Sequence, residues 1–259
     1  MSQAGPAVGA GTGGGVPQAA LSVIIPAYNE ARRLPPHLSG VLTYLRAHYP
    51  AYELIVVDDG SQDETAAAVQ AALTGEPRAR LLAYQPNRGK GYAIRTGVLA
   101  SHGAAVVFLD ADMSTPIEEI PAALTRLEQA DIVIGSRDLP SSDIRAQPPL
   151  YRRLASELFK WVRCLMVGLW AISDTQCGFK AYRGPVARQL FALARVDRFM
   201  FDVEILYLAE RAGLRIMEMP VLWTDAAGSK VRFWEGLVNM IRDLWRIRRL
   251  HRQRPEIAH

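Results

Sequence analysis

Two aspartates separated by one residue, Asp110 and Asp112, follow a short apolar run in the stretch VFLDADMST (107–115). In a β-strand the side chains of residues i and i+2 point to the same face, so this spacing predicts that both carboxylates face one point. Two carboxylates that close repel each other unless a cation lies between them. The pair is therefore predicted to bind Mg²⁺ or Mn²⁺, hard cations that take oxygen ligands.

A metal ion held there would also bridge to a diphosphate and assist the departure of that group as a Lewis acid. The D-x-D spacing is a weak signal by itself, because aspartates in loops often only cap helices. Its position at the end of a predicted strand is what favours the metal interpretation.

Strand-like apolar runs alternate with helical patterns through the first 140 residues. Strands are predicted over 21–28, 52–60, 80–84, 104–110 and 131–137, and helices over 34–49, 61–73, 89–102 and from Pro116 onward. This alternation predicts an α/β fold with a mostly parallel sheet flanked by helices on both faces. Ligands bind such sheets beyond the carboxyl ends of the strands. Three polar clusters fall at those ends: Asn29–Glu30, Asp58–Asp59 and Asp110–Asp112.

The pattern changes after about residue 140. A long helix is predicted over 148–170, a shorter one over 202–213 with two strands after it, and a basic amphipathic C-terminal helix over 234–251. The predicted apolar stripe of the long helix consists of Leu154, Leu158, Val162, Leu165 and Leu169, and that of the C-terminal helix of Leu237, Ile241, Leu244 and Trp245. The C-terminal stripe suits a membrane interface, and packing on the core of the protein is the alternative.

Basic charge and tryptophan are both concentrated in the second half of the chain. Residues 1–140 hold 10 basic and 14 acidic residues, whereas residues 141–259 hold 20 and 12 together with all five tryptophans. Cationic surfaces with aromatic residues are typical of contact with anionic lipid head groups. Core tryptophans beside a solvated basic face are the alternative. The net charge of +4 would also suit a nucleic-acid binder, but no aromatic-basic RNA motif or zinc finger is present, so no nucleic acid is expected.

The location of the protein is predicted from three further features. Residues 1–20 contain six glycines and no charge, which indicates a disordered tail and not a signal peptide. No run approaches the roughly 18 apolar residues of a membrane-spanning helix. Cys164 and Cys177 are not spaced as zinc ligands and suggest a reducing compartment. We therefore expect a cytoplasmic protein, peripheral on the cytoplasmic face of a membrane through interfacial helices or a membrane protein partner.

Several longer motifs, in this order and spacing, resemble the inverting nucleotide-sugar glycosyltransferases of family 2, which have a GT-A (Rossmann-like) fold. In the first half these are LSVIIPAYNEARRL, VVDDGSQDET, NRGKGYAIRTG and FLDADMST. The motifs GSRD (135–138), DTQCGFKAYRG (174–184), RFMFDVEILYLAERAG (198–213) and WTDAAGSK (223–230) narrow the resemblance to enzymes that glucosylate dolichyl and other polyprenyl phosphates. The resemblance covers roughly residues 21 to 250.

The resemblance implies a domain organisation and a set of site residues. A GT-A domain would span 21–230, with a nucleotide-sugar half (21–140) and an acceptor half (141–230), and a basic amphipathic helix would occupy 231–259. The nucleotide sugar would be bound by Pro26, Ala27, Tyr28, Glu30, Asp58, Asp59, Lys90, Asp110 and Ala111. Asp110 would face the ribose and the metal, and Asp112 would ligate the metal. Ordinary alternatives are a turn at Asp59–Gly60 and a solvated cation at Lys90.

A polyprenyl phosphate acceptor explains why no general base is expected. Its phosphate is largely dianionic at neutral pH, so no proton has to be removed before attack. Arg137, Lys180 and Arg183 are the predicted acceptor-phosphate residues, because arginine and lysine bind phosphate well. Some of these cations would alternatively pair with Asp138 or Asp174. Asp174 joins the catalytic candidates, where it would cap a loop or orient a cation or the sugar.

The function that follows is transfer of a sugar, most simply glucose from UDP-glucose, to a polyprenyl or dolichyl phosphate with inversion at the anomeric carbon. GDP-mannose or another nucleotide sugar is the alternative donor, and a non-catalytic nucleotide-sugar-binding scaffold is the alternative class. A Rossmann oxidoreductase is disfavoured, because Ile94 replaces the third glycine of G-x-G-x-x-G and the motif follows the third strand.

Overall fold

The computed structural model describes residues 20–144, 150–224 and 233–257. The strands in these ranges are β1 (Leu21–Ala27), β2 (Tyr52–Asp58), β3 (Ala79–Ala83), β4 (Ala105–Leu109), β5 (Ile132–Ser136), β6 (Asp143–Ile144), β7 (Phe179–Arg183), β8 (Ile216–Pro220) and β9 (Leu222–Trp223). The helices are α1 (Leu34–His48), α2 (Thr65–Ala72), α3 (Lys90–Leu99), α4 (Ile120–Leu127), α5 (Leu150–Val167), α6 (Gly184–Leu193), α7 (Phe201–Ala212) and α8 (Phe233–Leu250). The predicted tail lies outside the described residues except for Ala20, as does most of the motif at 223–230.

Seven strands form one sheet in the order β3-β2-β1-β4-β7-β5-β8. The first four strands are mutually parallel, and β8 is parallel to β5, but β7 runs antiparallel to both β4 and β5. The predicted α/β fold with a mostly parallel sheet is thus confirmed, and each of the five predicted strands is present to within two residues at either end. The sequence pattern does not predict β7 or α6.

Both faces of the sheet are covered, which explains why the central strands are apolar throughout. Along β1, Val23 and Ile25 pack in a core with α1, α2 and α4, whereas Ile24 packs in the opposite core with α3, α6 and α7. This is the alternation of side chains that a strand imposes. A helix layer on each face keeps water from the sheet, so polar groups can gather only at its edges and ends.

Helix α5 and the segment after it bury only part of the predicted stripe, namely Leu169 and, in part, Val162. Leu158 and Leu165 of the predicted stripe are exposed, whereas Phe159, Arg163 and Val167 are buried. The buried Arg163 guanidinium donates a 2.6 Å hydrogen bond to the carbonyl of Ile172 in the segment after the helix. The buried face of the helix thus includes an arginine, which simple apolar periodicity does not predict.

Helix α8 divides its apolar residues between the core and the surface. Leu244 and Ile247 are fully buried, but Ile241 and Trp245 are exposed. The helix therefore packs on the core and still presents apolar side chains to solvent. No helix in the described ranges is both long enough and apolar enough to cross a membrane.

Two glycines in helices provide a matched test of packing against the sheet. A Cβ atom on Gly97 of α3 would overlap Ile24 of β1, whereas a Cβ atom on Gly40 of α1 would meet no atom within 4 Å. We expect Gly97→Ala to lower the free energy of unfolding by about 1 kcal/mol or more, because overpacking outweighs the gain in helix propensity. Gly40→Ala should raise it by about 0.5 to 1 kcal/mol. Urea unfolding checks both values, and stabilisation by both substitutions would contradict the packing described.

Candidate active site

Polar side chains from three strands and one helix meet at the carboxyl edge of the sheet. The residues that follow β1, β2 and β4 are Tyr28–Glu30, Asp59 and Asp110–Asp112, and Lys90 begins α3. Ala27, the last residue of β1, lies beside Asp58 at the end of β2. The topology thus brings together the three polar clusters noted in the sequence, as the parallel-sheet prediction requires.

The two aspartates of the D-x-D motif lie in a turn and not on a strand. Strand β4 ends at Leu109, the Met113 amide donates a 3.0 Å hydrogen bond to the Asp110 carbonyl, and Met113 has a φ of +50°. The prediction that strand alternation places the two carboxylates on one face is therefore wrong, because neither aspartate lies on the strand. Instead, the amide of Ser114 (3.0 Å) and its hydroxyl (2.8 Å) both donate to Asp112 Oδ1, which fixes that carboxylate.

Asp110 is held from two sides. The Lys90 ammonium lies 2.5 Å from Asp110 Oδ1. The other side of the carboxylate packs so closely on Gly178 that a Cβ atom there would overlap it. Lys90 is therefore not the freely solvated cation of the alternative interpretation, and it fixes the position of Asp110.

A second ion pair lies beneath the first. The ammonium of Lys180 lies 2.6 Å from Asp202 Oδ1 and donates a 2.7 Å hydrogen bond to the Cys177 carbonyl, and the Lys180 side chain is fully buried. Burial raises the pKa of Asp202, an effect that the charges of Lys180 and Lys90 oppose. The prediction that Lys180 binds the acceptor phosphate is wrong, because this side chain does not reach the surface.

The Lys90 ammonium remains charged despite its surroundings. Burial lowers the pKa of Lys90, but the negative charges of Asp110 and Asp202, with a smaller effect from Asp112, raise it above its ordinary value overall. Lys90 is accordingly a cation at neutral pH. The Lys90 ammonium interacts with Asp110 in the D-x-D turn and with the buried Asp202, and it therefore links the turn to the interior.

Of the aspartates after β2, Asp59 has an internal role. Its carboxylate accepts hydrogen bonds from Tyr84 Oη (2.7 Å), Asn87 Nδ2 (2.7 Å) and the amides of Arg88 (2.9 Å) and Gly89 (2.8 Å). Burial, together with the bond to Asp59, raises the pKa of Tyr84 far above its usual range. Asp59 therefore positions the loop that leads to Lys90.

The neighbouring Asp58 keeps an acceptor available. The amide of Ser61 (3.2 Å) and its hydroxyl both donate to Asp58 Oδ1, while Oδ2 accepts no hydrogen bond from the described part of the chain. Of the two aspartates, Asp58 is the one that has an oxygen to offer a nucleotide.

Sequence reasoning did not identify Arg33, which joins the site through Glu30. The Glu30 carboxylate accepts hydrogen bonds from Arg33 Nε (2.8 Å) and Nη2 (2.5 Å). These bonds, and to a lesser degree the charges of Glu30 and Asp112, raise the pKa of Arg33. The guanidinium thus lies within electrostatic range of Asp112. The signal in the sequence was the i, i+3 spacing of Glu30 and Arg33 before a helix.

Asp174 and Arg137, two of the residues predicted for the acceptor half, form a bidentate pair. Arg137 Nε (2.7 Å) and Nη2 (3.0 Å) donate to the Asp174 carboxylate, which also accepts from the amides of Arg137 (3.1 Å) and Gln176 (3.0 Å). The Asp174 side chain is buried, whereas that of Arg137 is one-third exposed. Asp174 thus combines two of the alternatives left open for it, because it orients a cation and also caps its own loop.

Arg183 lies away from the site, and its predicted acceptor role is therefore wrong. Because β7 is antiparallel to β4, its last residue, Arg183, pairs with Ala105 at the start of β4, at the opposite end from Asp110. Its guanidinium donates to the carbonyls of Leu127, Glu128 and Ala130. It closes the turn between α4 and β5.

Within the part of the chain that the structure describes, the aspartates could bind a divalent cation only if ligands from outside the protein complete its coordination. The described residues contain no group of three acidic, histidine or cysteine side chains arranged to hold a metal. Asp112 uses only Oδ1 for internal hydrogen bonds, so Oδ2 is available as a hard oxygen ligand. Asp110 is committed to Lys90 through Oδ1. The remaining coordination positions would have to come from a diphosphate and water.

A family model described as glycosyl transferase family 2 matches residues 22–191. The chain is 41% identical over 246 residues to dolichyl-phosphate beta-glucosyltransferase of Drosophila melanogaster, covering 89% of this chain and 75% of the relative. It is 38% identical over 250 residues to the Homo sapiens protein of that name, covering 90% and 76%. The chain belongs to glycosyl transferase family 2, as its motifs predict, and it is a glycosyltransferase.

The fold also matches solved structures. Glucosyl-3-phosphoglycerate synthase from Mycobacterium tuberculosis, in complex with Mn²⁺, uridine diphosphate and glucosyl-3-phosphoglycerate, superimposes with a TM-score of 0.63 at 22% identity, covering 88% of this chain and 78% of that one. Another crystal structure of that enzyme holds Mg²⁺ and uridine diphosphate, with a TM-score of 0.63 at 21% identity over 88% and 78% of the two chains. The likeness shows that the chain has the GT-A fold that the sequence predicts.

The Asp174–Arg137 pair predicts a pH dependence of stability. Burial alone would raise the pKa of Asp174, but the charge of Arg137 and the hydrogen bonds outweigh it and lower the pKa to about 2. The unfolded value is about 3.9, so this stabilisation is complete above pH ~4 and is lost as the pH falls toward 2. Asp174→Asn should cost on the order of 2 kcal/mol at neutral pH and almost nothing at pH ~2. Urea unfolding across this range measures the difference.

The control for this measurement is Asp197→Asn, which removes partly exposed ion pairs with Arg95 and Arg88. An exposed pair contributes less than about 1 kcal/mol, so a smaller effect of this substitution is expected. A pH-independent effect of Asp174→Asn would contradict the assigned ion pair.

The buried Lys180–Asp202 pair predicts strong non-additivity. Lys180→Met alone should lower the free energy of unfolding by about 3 to 5 kcal/mol, because it removes one partner of a buried pair. The double variant Lys180→Met/Asp202→Leu should recover much of that loss, since an apolar pair of similar volume is tolerated. A double-mutant cycle by urea unfolding checks this coupling. A stable Lys180→Met variant with weakened acceptor binding would instead support the original acceptor role.

Proposed function

We propose that this glycosyltransferase transfers glucose from UDP-glucose to dolichyl phosphate or a related polyprenyl phosphate, with inversion at the anomeric carbon. The observation that carries the proposal is the identity of 38% to 41% with dolichyl-phosphate beta-glucosyltransferases over nearly nine-tenths of the chain. A match over nearly nine-tenths of the chain necessarily includes the D-x-D turn as well as Arg137 and Asp174. The site geometry supports a role for each group in this reaction.

On the donor side, the carboxyl edge of the sheet supplies acceptors for the nucleoside. Asp58 Oδ2 would accept from the uracil N–H or a ribose hydroxyl, and Asp110, held by Lys90, would face the ribose. Tyr28, which is 40% exposed, would line the same pocket. Pro26 and Ala27 are buried in β1, so they would contribute backbone atoms, and Ala111 would lie against the donor in the D-x-D turn.

Asp112 would hold a Mg²⁺ or Mn²⁺ ion together with the diphosphate of the donor. The bound ion would neutralise the charge that develops on the departing UDP. Arg33, fixed by Glu30 within electrostatic range of Asp112, would place a second positive charge on this side. Lys90 would contribute by keeping Asp110 in position.

On the acceptor side, the exposed part of the Arg137 guanidinium would bind the lipid phosphate, with Asp174 fixing its orientation. A phosphate oxygen would attack the anomeric carbon from the face opposite to UDP. The new carbon–oxygen bond would form as the bond to the β-phosphate breaks, and UDP would leave with the electron pair. The acceptor is already a dianion, so the step needs no general base.

The acceptor also defines where the enzyme would act. A polyprenyl phosphate is anchored in a membrane by its hydrocarbon chain, so the enzyme would have to work at the membrane surface. We propose a peripheral position on the cytoplasmic face, reached through surface helices or a membrane protein partner.

The proposal is tested with purified protein, Mn²⁺ or Mg²⁺, dolichyl phosphate in detergent and a panel of radiolabelled UDP- and GDP-sugars. Label from UDP-glucose should appear in an organic-extractable, mild-acid-labile product. Asp112→Asn should reduce transfer by about 10²-fold or more, as expected for loss of a group that stabilises the leaving charge. Glu118→Gln, an exposed carboxylate six residues further on, is the control and should transfer normally. Transfer from GDP-mannose but not UDP-glucose would refute the donor, and donor hydrolysis without lipid product would refute the acceptor.

Arg137→Lys separates the acceptor role from the donor role. Lysine keeps the charge but loses the bidentate geometry, so KM for dolichyl phosphate should rise at least about tenfold. The Kd for UDP should stay the same. Arg183→Lys is the matched control, and both constants should be unaffected because Arg183 lies at the opposite end of β4. Steady-state kinetics and calorimetry provide the two constants, and equal effects of the two substitutions would contradict the assignment.

A further inference from the structure

Four large apolar side chains at and just after α5 are exposed on the surface. Leu158, Trp161, Leu165 and Trp170 have between 55% and 70% of their surface accessible, and the rings of the two tryptophans meet edge to face with centroids 6.1 Å apart. These four residues are the α5 ridge. Scattered exposed apolar residues are normal, but a cluster of this size on one helix face usually marks an interaction site.

A cationic groove lies on the neighbouring helices α7 and α8. It has a volume of about 270 Å³ and is lined by Tyr207, Arg211, Trp245, Arg248, Arg249 and Arg252. These six residues are the arginine groove. Two of its guanidinium groups lie over its aromatic rings. The Arg211 guanidinium is 5.5 Å from the Tyr207 ring centroid, and that of Arg249 is 5.3 Å from the Trp245 ring centroid.

The charge of the arginine groove is not neutralised by the described residues. None of its four arginines lies within 4.0 Å of a carboxylate in the described ranges, whereas Arg33, Arg95 and Arg137 elsewhere do. Four arginines that share one groove without acidic partners repel one another. Such an arrangement is complementary to phosphate groups, which arginine binds bidentately.

The α5 ridge and the arginine groove belong to one continuous face. Helices α5 and α8 pack together, and Arg248 Nη1 donates a 3.4 Å hydrogen bond to the carbonyl of Met166, next to Leu165 of the ridge. At its other side the ridge approaches the acceptor residues. Lys160, beside Trp161, forms a 2.9 Å ion pair with Asp138, the neighbour of Arg137.

We infer that the α5 ridge and the arginine groove together bind the surface of an anionic phospholipid bilayer. Exposed tryptophan and leucine side chains would enter the boundary between head groups and acyl chains, and the arginines would bind lipid phosphates. A protein partner would match the apolar ridge alone, but the unpaired arginines favour a surface rich in phosphate. The inference rests on the proposed lipid acceptor, because it places Arg137 beside the membrane that would carry that acceptor.

The test measures co-flotation of the purified full chain with vesicles that contain no polyprenyl phosphate. The vesicles are made of phosphatidylcholine with or without phosphatidylglycerol, at about 0.05 M and about 0.5 M salt. Two pairs of positions are compared, all of them exposed except Arg126, which is partly buried. Leu165→Ser and Arg248→Glu alter the proposed face, whereas Leu99→Ser at the end of α3 and Arg126→Glu in α4 make the same changes elsewhere.

Wild-type protein should bind the anionic vesicles and lose most of that binding at high salt. Leu165→Ser and Arg248→Glu should each weaken binding at least about fivefold, as expected for one buried leucine or one reversed charge, and the two controls should bind like wild type. All four variants should retain glucosyl transfer to dolichyl phosphate in detergent, where no bilayer is needed.

Equal binding by all four variants would overturn the inference. Failure of the wild-type protein to bind either kind of vesicle would also overturn the inference and would favour a protein partner for this face. A third contradicting result has two parts: millimolar inorganic phosphate displaces the protein from anionic vesicles, and Leu165→Ser binds the vesicles normally. Together these would show that the groove binds free phosphate and would refute the proposed binding of a bilayer. Vesicle binding that depends on the face, without any transfer in detergent, would support the docking face while refuting the proposed function.

Discussion

The site depends on four side chains of alternating charge, in the order Asp110, Lys90, Asp202 and Lys180. Removing a charge from water costs several kcal/mol, so none of these groups would be stable in the interior alone. Lys90 lies between the outer carboxylate and the inner one, and its raised pKa shows that carboxylate attraction exceeds the effect of burial. Because Asp59 fixes the loop before α3, and Gly178 admits the Asp110 carboxylate, the backbone on both sides serves this one arrangement.

The arrangement divides the acidic residues of the site into two kinds. Asp59 and Asp110 are committed to internal partners and hold backbone and lysine in place. Asp58 and Asp112 are each fixed through one oxygen by a serine, Ser61 and Ser114 respectively, and keep the other oxygen available. A carboxylate that is oriented in advance loses little freedom when it binds a nucleotide or a metal ion. Each acidic pair therefore contains one carboxylate held mainly by internal partners and one that keeps an oxygen available.

Much of this could be predicted from the sequence, because apolar runs and polar strand ends report directly on a parallel sheet. The location of Asp58 and Asp112 followed from that pattern, whereas that of Lys90 was implied by the family resemblance. The direction of β7 could not be predicted from the pattern, since an antiparallel strand has the same composition as a parallel one. This direction alone places Arg183 at the end of the sheet opposite to the candidate site. The pairing of Arg137 with Asp174 spans 37 residues and depends on a loop conformation that no local pattern specifies.

We propose that Asp112 forms the metal site together with a nucleoside diphosphate, while Asp110 remains paired with Lys90. Electron paramagnetic resonance of Mn²⁺ tests this most directly, because it distinguishes free from bound ion without any turnover. We expect weak Mn²⁺ binding to the protein alone, tight binding when UDP is added, and loss of the tight binding in Asp112→Asn. Tight binding of Mn²⁺ without UDP, or its persistence in Asp112→Asn, would contradict this assignment of the metal site.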